Sequence, residues 1–178
     1  MFPRRRCGSG CSCTDVAGIP LYQTAILPEW IDYNGHLRDA YYGLIVSLAI
    51  DALMNRVGLD AAYRQRTGCT LYTLEMHIHY LHEVKQADTA MVTVRIPGAD
   101  AKRIHAAFEL LRAGHSGVAA SAEAMLLHVR QESGSVRSAP FPAPIAAAIA
   151  HLQAASAGLQ PEAPGSRRLQ LPVPARPA

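Results

Sequence analysis

The segment 37–57 restricts the fold of this chain more than any other part of the sequence. It carries aliphatic or aromatic residues on most sides of a helix, contains no proline and is followed by Gly58, a common helix terminator. A helix with so few polar sides has to be covered by other elements. Its uninterrupted apolar part ends at Asp51, well short of the roughly 20 residues that span a bilayer. The sequence therefore predicts a core helix and no membrane segment.

Strand patterns lie on both sides of this helix in the sequence. Alternating or β-branched segments predict strands at 21–27, 69–84, 89–96, 103–111 and 118–129, and a short helix at 60–67. Turn-forming residues separate the last four strands, so neighbouring strands are expected to pair as hairpins. One strand, a buried helix and four hairpin-linked strands predict an α+β fold, in which an antiparallel sheet is wrapped around one central helix.

The folded domain is expected to span 20–133. Residues 1–19 and 160–178 offer little to bury, so we expect a flexible N-terminal segment and a disordered, proline-rich tail. Residues 134–159 are predicted to be a proline-rich spacer followed by a short helix. The 178 residues, 49% of them hydrophobic, are enough for one core.

Charge and cysteines exclude several classes of protein. The net charge is +3, but residues 20–133 hold 10 basic and 12 acidic side chains, so the domain has no basic surface for nucleic acid. Cys7, Cys11 and Cys13 lack the second ligand pair of a structural zinc site, so we expect no metal. No apolar signal-peptide stretch follows the N-terminal arginines, and a reducing cytoplasm is the expected location.

Polar groups cluster immediately before the core helix. Asp32, Asn34 and His36 alternate along the chain, and extended backbone would project them to one side. The helix that begins at their end would supply free N–H groups and a partial positive charge. Such a set can hydrolyse a carbonyl compound, with Asp32 as base or nucleophile and amides holding the oxyanion. The same residues also fit a helix cap and an Asn-Gly turn.

Four strings in the sequence resemble the hot-dog thioesterase superfamily. They lie at 28–36, 75–85, 98–105 and 122–129, and the resemblance covers about 22–130. The Asp-x-Asn-x-His string before the helix resembles the signature of acyl-CoA and acyl-carrier-protein thioesterases. The longer strings are similar to the betainyl-CoA thioesterases of carnitine degradation. The resemblance implies the hot-dog fold and thioester hydrolysis.

The resemblance also implies roles for individual residues. Asp32 becomes the nucleophile or general base, while Asn34 and His36 would position water or donate to the thioester oxygen. Glu83 matches a glutamate that acyl-carrier-protein thioesterases place near this site. The residues after His36, Leu37-Arg38-Asp39, differ from the family's Met-Asn or Val-Asn-Asn, so first-turn contacts are expected to differ.

Substrate-binding candidates follow from the chemistry of the substrate. Proteins hold a trimethylammonium group, such as that of betaine, with aromatic faces and a nearby carboxylate. The candidates for this role are Trp30, Tyr33, Tyr41 and Tyr42, with Glu75 as counter-charge. The candidates for binding CoA phosphates are Lys85, Lys102 and Arg103.

Histidines crowd the strand predicted at 69–84. His77, His79 and His82 invite a metal interpretation, but alternate strand residues lie roughly 6.5–7 Å apart. A strand-to-strand subunit contact is the preferred interpretation. The same long strand leaves an exposed edge, which predicts a homodimer or a dimer of dimers.

Taken together, the sequence predicts an acyl-CoA thioesterase that hydrolyses a small polar acyl-CoA, with betainyl-CoA as one candidate. The reaction needs no metal or redox cofactor. Because fold does not fix function, two alternatives stay open: a hot-dog dehydratase or hydratase acting on acyl thioesters, and a non-catalytic acyl-CoA-binding protein.

Overall fold

A computed structural model describes residues 18–132 and 134–159. Within these ranges the strands are β1 (Ile19–Ala25), β2 (Cys69–Tyr80), β3 (Thr89–Ala99), β4 (Arg103–Arg112), β5 (Val118–Glu132) and β6 (Ser135–Ser138). The α-helices are α1 (Asp39–Val57), α2 (Ala61–Thr67) and α3 (Ala143–Ser156), and a 3-10 turn spans Pro28–Trp30. The predictions for 1–17 and 160–178, with Cys7, Cys11 and Cys13, lie outside the described residues.

The strands form one antiparallel sheet in the order β1-β3-β4-β5-β2, and β6 pairs with the end of β5. Hairpins connect β3 to β4 and β4 to β5, as the turn residues predict. The expected hairpin between β2 and β3 is wrong, because β3 pairs with β1 and β4 while β2 pairs with β5. The long strand β2 follows the helices in sequence and lies at an edge of the sheet, with β5 as its neighbour. The predicted antiparallel sheet is confirmed.

Helix α1 packs on the sheet through one face. Its buried residues recur every three or four positions and include Ile45, Ala49 and Leu53, none of them exposed. On another side of the helix, Leu44 is 39% exposed. The predicted core helix is therefore confirmed, and the side that carries Leu44 is left exposed in a single chain.

The C-terminal part of the described chain completes the same core. Ile145, Ile149 and Leu152 of α3 belong to the buried cluster. The Ser156 hydroxyl accepts a 3.1 Å hydrogen bond from the backbone N–H of Ile96, where the pairing of β3 with β4 is irregular. Strand β6 also lies in the stretch 134–159, for which the sequence predicted only a spacer and a helix. Residues 135–156 are thus part of the domain.

Several element boundaries differ from the prediction for local reasons. Helix α1 begins at Asp39 rather than at Leu37, because the Leu37 N–H donates to the Val84 carbonyl at 2.7 Å. Strand β2 ends at Tyr80 rather than at 84, since Leu81 and His82 turn to bond the Ala119 carbonyl. The strands β3 and β5 each run three residues further, to Ala99 and Glu132, than predicted.

The sheet has two ends with different neighbouring segments. The Asp32 end holds the segments 26–38, 81–88 and 113–117. The Lys102 end holds α2, the 100–102 turn and β6, joined by the bonds of His128 N–H to the Lys102 carbonyl and of Gln131 N–H to the Gly68 carbonyl. In the part of the chain that the structure describes, no single helix is long and apolar enough to cross a bilayer; only α1 and α2 together reach that measure, and they are bent by 69°.

Candidate functional site

Residues 32–36 form a tight turn, as Asn34-Gly35 indicates, and not an extended backbone that would project alternate side chains to one side. The Asp32 N–H donates to the His36 carbonyl at 2.8 Å, and the Gly35 N–H donates to the Asp32 carbonyl at 3.1 Å. Gly35 has a φ of 83°, a value that glycine adopts without strain. The short side chain of Asp32 competes for backbone donors, and this closes the turn. The Asn-Gly turn interpretation is therefore correct for the backbone.

The carboxylate of Asp32 is held through one oxygen. Its Oδ1 accepts the N–H groups of Asn34 at 2.8 Å and of His36 at 3.0 Å. Its Oδ2 has only a long contact of 3.5 Å from the Asn34 side-chain amide. The backbone N–H of His36 is the main cause that lowers the pKa of Asp32 below its ordinary value of 3.8. The carboxylate is ionised at neutral pH, and Oδ2 is the oxygen available for chemistry.

The structure brings Glu83 to this turn. The His36 Nε2 lies 3.0 Å from Glu83 Oε2, and the two side chains are 30% and 63% exposed. The neighbouring backbone holds them together, because His36 forms a β-bridge with Lys85 and the Leu37 N–H bonds the buried Val84. Asp32, Asn34, His36 and Glu83 thus form one constellation at the Asp32 end.

The N-terminus of α1 does not serve the Asp32 carboxylate. The N-cap residue is Arg38, whose side chain makes no capping bond, and the Asp39 carboxylate accepts the N–H of Ala40 at 2.8 Å. The sequence analysis expects amides to hold the oxyanion; the N–H of Ala40 is already bound by Asp39, and the Asp32 carboxylate receives its own N–H groups from the turn. An acidic side chain in the first turn also fits the positive end of the helix.

The aromatic candidates divide into separate groups within one chain. Trp30 is buried and stacks on Tyr41, with ring centroids 5.5 Å apart and an angle of 19°. Tyr42 is buried, donates to the His82 carbonyl at 3.4 Å and meets the ring of Tyr80 edge-on. The fourth candidate, Tyr33, is 95% exposed on the turn. The four aromatic candidates therefore do not surround one common site within a single chain.

Glu75 lies on β2 and not at the turn. Its carboxylate contacts His77 Nε2. The alternate residues Met76 and Ile78 lie beside Gly43 of α1, so Glu75 and His77 belong to the opposite face of the strand. Across the described ranges, no three His, Cys, Asp or Glu side chains are grouped so that they could hold a metal ion.

The three basic candidates lie at opposite ends of the sheet. Lys85 follows the turn constellation, and its N–H donates to Asp88 at 2.8 Å. Lys102 and Arg103 lie at the Lys102 end, where the Arg103 guanidinium is 2.7 Å from Asp100. Of these three candidates, only Lys85 lies at the Asp32 end within one chain.

Arg112, at the end of β4, was missed by the sequence reasoning. It lies at the Asp32 end, because it pairs with Ala90 near the start of β3 and its carbonyl accepts the His115 N–H. Burial raises the pKa of Tyr42, and the charge of Arg112 acts in the opposite direction. Its Nε is buried and has no hydrogen-bond partner among the described residues. A terminal arginine on an apolar strand carries no sequence signal that distinguishes it from a surface charge.

Comparison with known proteins gives a consistent result. The profile of the thioesterase-like superfamily matches residues 26–149. The betainyl-CoA thioesterase of Pseudomonas aeruginosa is 45% identical over 138 residues, which are 78% of this chain and 86% of that protein. The L-carnitine dehydrogenase/betainyl-CoA thioesterase of Rhizobium meliloti is 34% identical over 166 residues, which are 93% of this chain but 31% of that protein.

Solved structures share the fold. A Pseudomonas putida protein matches with a TM-score of 0.74 at 43% identity, covering 88% of this chain and 98% of that one. A Staphylococcus aureus protein in complex with CoA matches with a TM-score of 0.73 at 28% identity, covering 87% and 97%. The range 26–149 that matches the superfamily profile includes β2 to β6, α1 and the turn that carries Asp32.

Proposed function

Since this chain belongs to the thioesterase-like superfamily and has its hot-dog fold, we propose that it hydrolyses acyl-CoA thioesters and that betainyl-CoA is its substrate. Water cleaves the thioester to betaine and the free thiol of CoA. The 45% identity to the Pseudomonas aeruginosa betainyl-CoA thioesterase, over 86% of that protein, supports this substrate. The name of the Rhizobium meliloti relative supports a role in carnitine breakdown.

The hydrogen bonding of Asp32 carries the proposed activity. Two backbone N–H groups fix Oδ1 and keep the carboxylate ionised, while Oδ2 stays available. An ionised, oriented carboxylate can take a proton from attacking water, or attack the carbonyl carbon itself to form a mixed anhydride. Both routes use the same oxygen. The reaction as proposed needs only side chains and water, without a metal or redox cofactor.

His36 and Asn34 are proposed to act on the water and the thioester oxygen. The contact between His36 Nε2 and Glu83 holds the imidazole beside the turn. The Asn34 side-chain amide lies next to Asp32 Oδ2, where it can donate to a water or oxyanion in the same place. Glu83 is then a positioning residue, because it acts through His36.

Tyr41 is proposed as the main aromatic contact of the trimethylammonium group. It is only partly buried, whereas its stacking partner Trp30 is 8% exposed and Tyr42 is 5% exposed. A cation over an accessible aromatic face gains about 0.5–2 kcal/mol. Trp30 fixes the ring of Tyr41 from the other side.

A homodimer formed through β2 is part of the proposal. This edge strand exposes a row of apolar side chains, namely Tyr72, Leu74, Met76 and Tyr80. An exposed apolar edge with unpaired backbone groups is a surface for pairing with another strand. The free, buried thiol of Cys69 fits the reducing cytoplasm in which we propose the protein acts.

Release of free thiol from a panel of acyl-CoA thioesters tests the function. The proposal expects rapid release from betainyl-CoA and slower release from acetyl-CoA and an aromatic acyl-CoA. Thiol release from none of them, with binding of CoA intact, would identify a non-catalytic acyl-CoA-binding protein. Hydration of an enoyl-CoA without thiol release would identify a hydratase.

A further inference from the structure

A cavity of about 430 Å³ lies at the Lys102 end, between α2, β5 and β6. His128, 1% exposed, forms part of its lining. One ring nitrogen of His128 is 3.0 Å from the Tyr63 hydroxyl, and the other is 2.9 Å from the Ala139 carbonyl. Both nitrogens have partners, so the ring is fixed and gives the cavity a rigid wall. The proposed reaction uses none of these residues.

Positive charge is concentrated along this cavity. Arg130 and Arg137 both line it, and they are direct cross-strand partners in the pairing of β5 with β6. Like charges directly opposite each other on neighbouring strands repel. Lys102 adds a third cation, because its ammonium group donates to the Ser138 hydroxyl of the lining at 3.1 Å.

Among the described residues that line the cavity, one carboxylate, that of Glu132, offsets these cations. Glu132 Oε1 lies 3.3 Å from Arg130, and the two side chains are 68% and 53% exposed. A pair this exposed is largely screened by water. Arg137 and Lys102 are left with their charge available, and the cavity is electropositive.

We propose that this cavity binds a phosphate-bearing anion, with Arg130 and Arg137 as its principal ligands. Guanidinium groups bind phosphate oxygens through paired, charge-assisted hydrogen bonds, and an anion between the two arginines removes their repulsion. The site is separate from the Asp32 turn of the same chain: β5 runs from Ala119, beside His82, to Arg130, a length on the order of 30 Å.

Two kinds of ligand would present a phosphate group to this cavity. One is a free phosphorylated compound that occupies the cavity independently of the thioester. The other is the phosphate-bearing part of CoA, held here while the acyl group is at the Asp32 turn of another subunit. The two sources share the same ligands and differ in their effect on the KM for acyl-CoA.

Isothermal titration calorimetry of the full chain with inorganic pyrophosphate, and with adenosine 3′,5′-bisphosphate, tests the site without using activity. The proposal expects binding to the wild type, and affinity reduced about tenfold or more in Arg137→Gln and in Arg130→Gln. Arg66→Gln removes the same charge from the exposed side of α2 outside the cavity and is expected to bind like the wild type. No binding to the wild type, or equal binding to all variants, would overturn the proposal.

The KM for acyl-CoA then separates the sources. If CoA supplies the phosphate, Arg137→Gln raises the KM for acyl-CoA but leaves the KM for the same acyl group on pantetheine unchanged. If a free compound is the ligand, Arg137→Gln leaves both values unchanged while pyrophosphate binding is lost. If the protein hydrolyses no thioester, the binding measured by calorimetry is unaffected. Failure of the phosphate-site proposal can therefore be distinguished from failure of the proposed thioesterase function.

Discussion

The Nε2 atom of His36 lies 3.0 Å from the Oε2 atom of Glu83, and this contact joins the Asp32 turn to the segment that follows β2. The backbone alone already aligns the two segments, through the bond of the Leu37 N–H to Val84. The contact between His36 and Glu83 therefore sets the direction of the imidazole more than the position of the chain. This distinction determines how a substitution at Glu83 should act.

Glu83→Gln is expected to lower kcat for betainyl-CoA about fivefold and to leave the fold intact. The reason is that an exposed side-chain contact of this kind contributes up to about 1 kcal/mol, and here that energy orients His36. Steady-state thiol release gives kcat and KM separately. Glu29→Gln, an exposed carboxylate at the same end, serves as control and should match the wild type. An unchanged kcat in Glu83→Gln would show that Glu83 does not position His36.

Tyr41→Leu is expected to raise the KM for betainyl-CoA about fivefold while the KM for acetyl-CoA stays near the wild-type value. The substitution removes the aromatic face that we assign to the trimethylammonium group, and acetyl-CoA carries no such cation. Tyr41→Phe keeps the aromatic ring and should retain the wild-type KM for betainyl-CoA. Equal KM changes for both substrates in Tyr41→Leu would argue for a packing role alone.

Leu74→Asp is expected to weaken self-association at least about tenfold, because a charge at the centre of the β2 edge opposes strand pairing. Leu74 is 56% exposed in a single chain, so the substitution has little effect on the fold of the monomer. Analytical ultracentrifugation measures the change. Val136→Asp, on the exposed strand β6, is the matched control, and it should associate like the wild type. Unchanged association of Leu74→Asp would place the interface elsewhere.

The core helix and the hairpins β3–β4 and β4–β5 could be predicted because hydrophobic periodicity and turn residues act locally. The α2 boundaries illustrate this, since the Asp60 carboxylate caps the Tyr63 N–H and Gly68 ends the helix with a positive φ. The pairing of β2 with β5 could not be predicted, because it joins segments far apart in the sequence. For residues 32–36 the sequence left two interpretations, an Asn-Gly turn and an extended backbone that projects alternate side chains to one side. The structure has the turn, because the Asp32 side chain takes backbone donors that an extended segment would need.

The aromatic and basic candidates show a second limit. Four aromatic residues lie near one motif in the sequence, but in the structure Tyr41 stacks on Trp30 and Tyr33 is exposed to solvent. Lys85 and Lys102 both lie between strands, yet β3 (Thr89–Ala99) runs from one to the other and places them at opposite ends of the sheet. Such distances depend on the register of the whole sheet, and no local pattern specifies it.

The pKa of Asp32 predicts a pH-dependent contribution to stability. The N–H of His36, with that of Asn34, favours the ionised carboxylate, so the folded-state pKa lies below the ordinary value of 3.8. The stabilisation is therefore fully present above pH 3.8 and is lost as the pH falls through the folded-state pKa. Asp32→Asn should lower the free energy of unfolding at about pH 7, and its difference from the wild type should shrink at about pH 3. Urea unfolding measures the free energy of unfolding at each pH. A difference between Asp32→Asn and the wild type that does not change with pH would contradict the lowered pKa of Asp32.

The most direct test of the account is the rate at which Asp32→Asn releases thiol from betainyl-CoA. The substitution keeps an oxygen that can accept the N–H groups of the turn, but it removes the charge and basicity of Oδ2. With circular dichroism as the check on folding, and Asp51→Asn on the exposed side of α1 as the matched control, we expect thiol release to be abolished in Asp32→Asn and unchanged in the control. Near-normal turnover by folded Asp32→Asn would contradict the assignment of Asp32 as the reacting group.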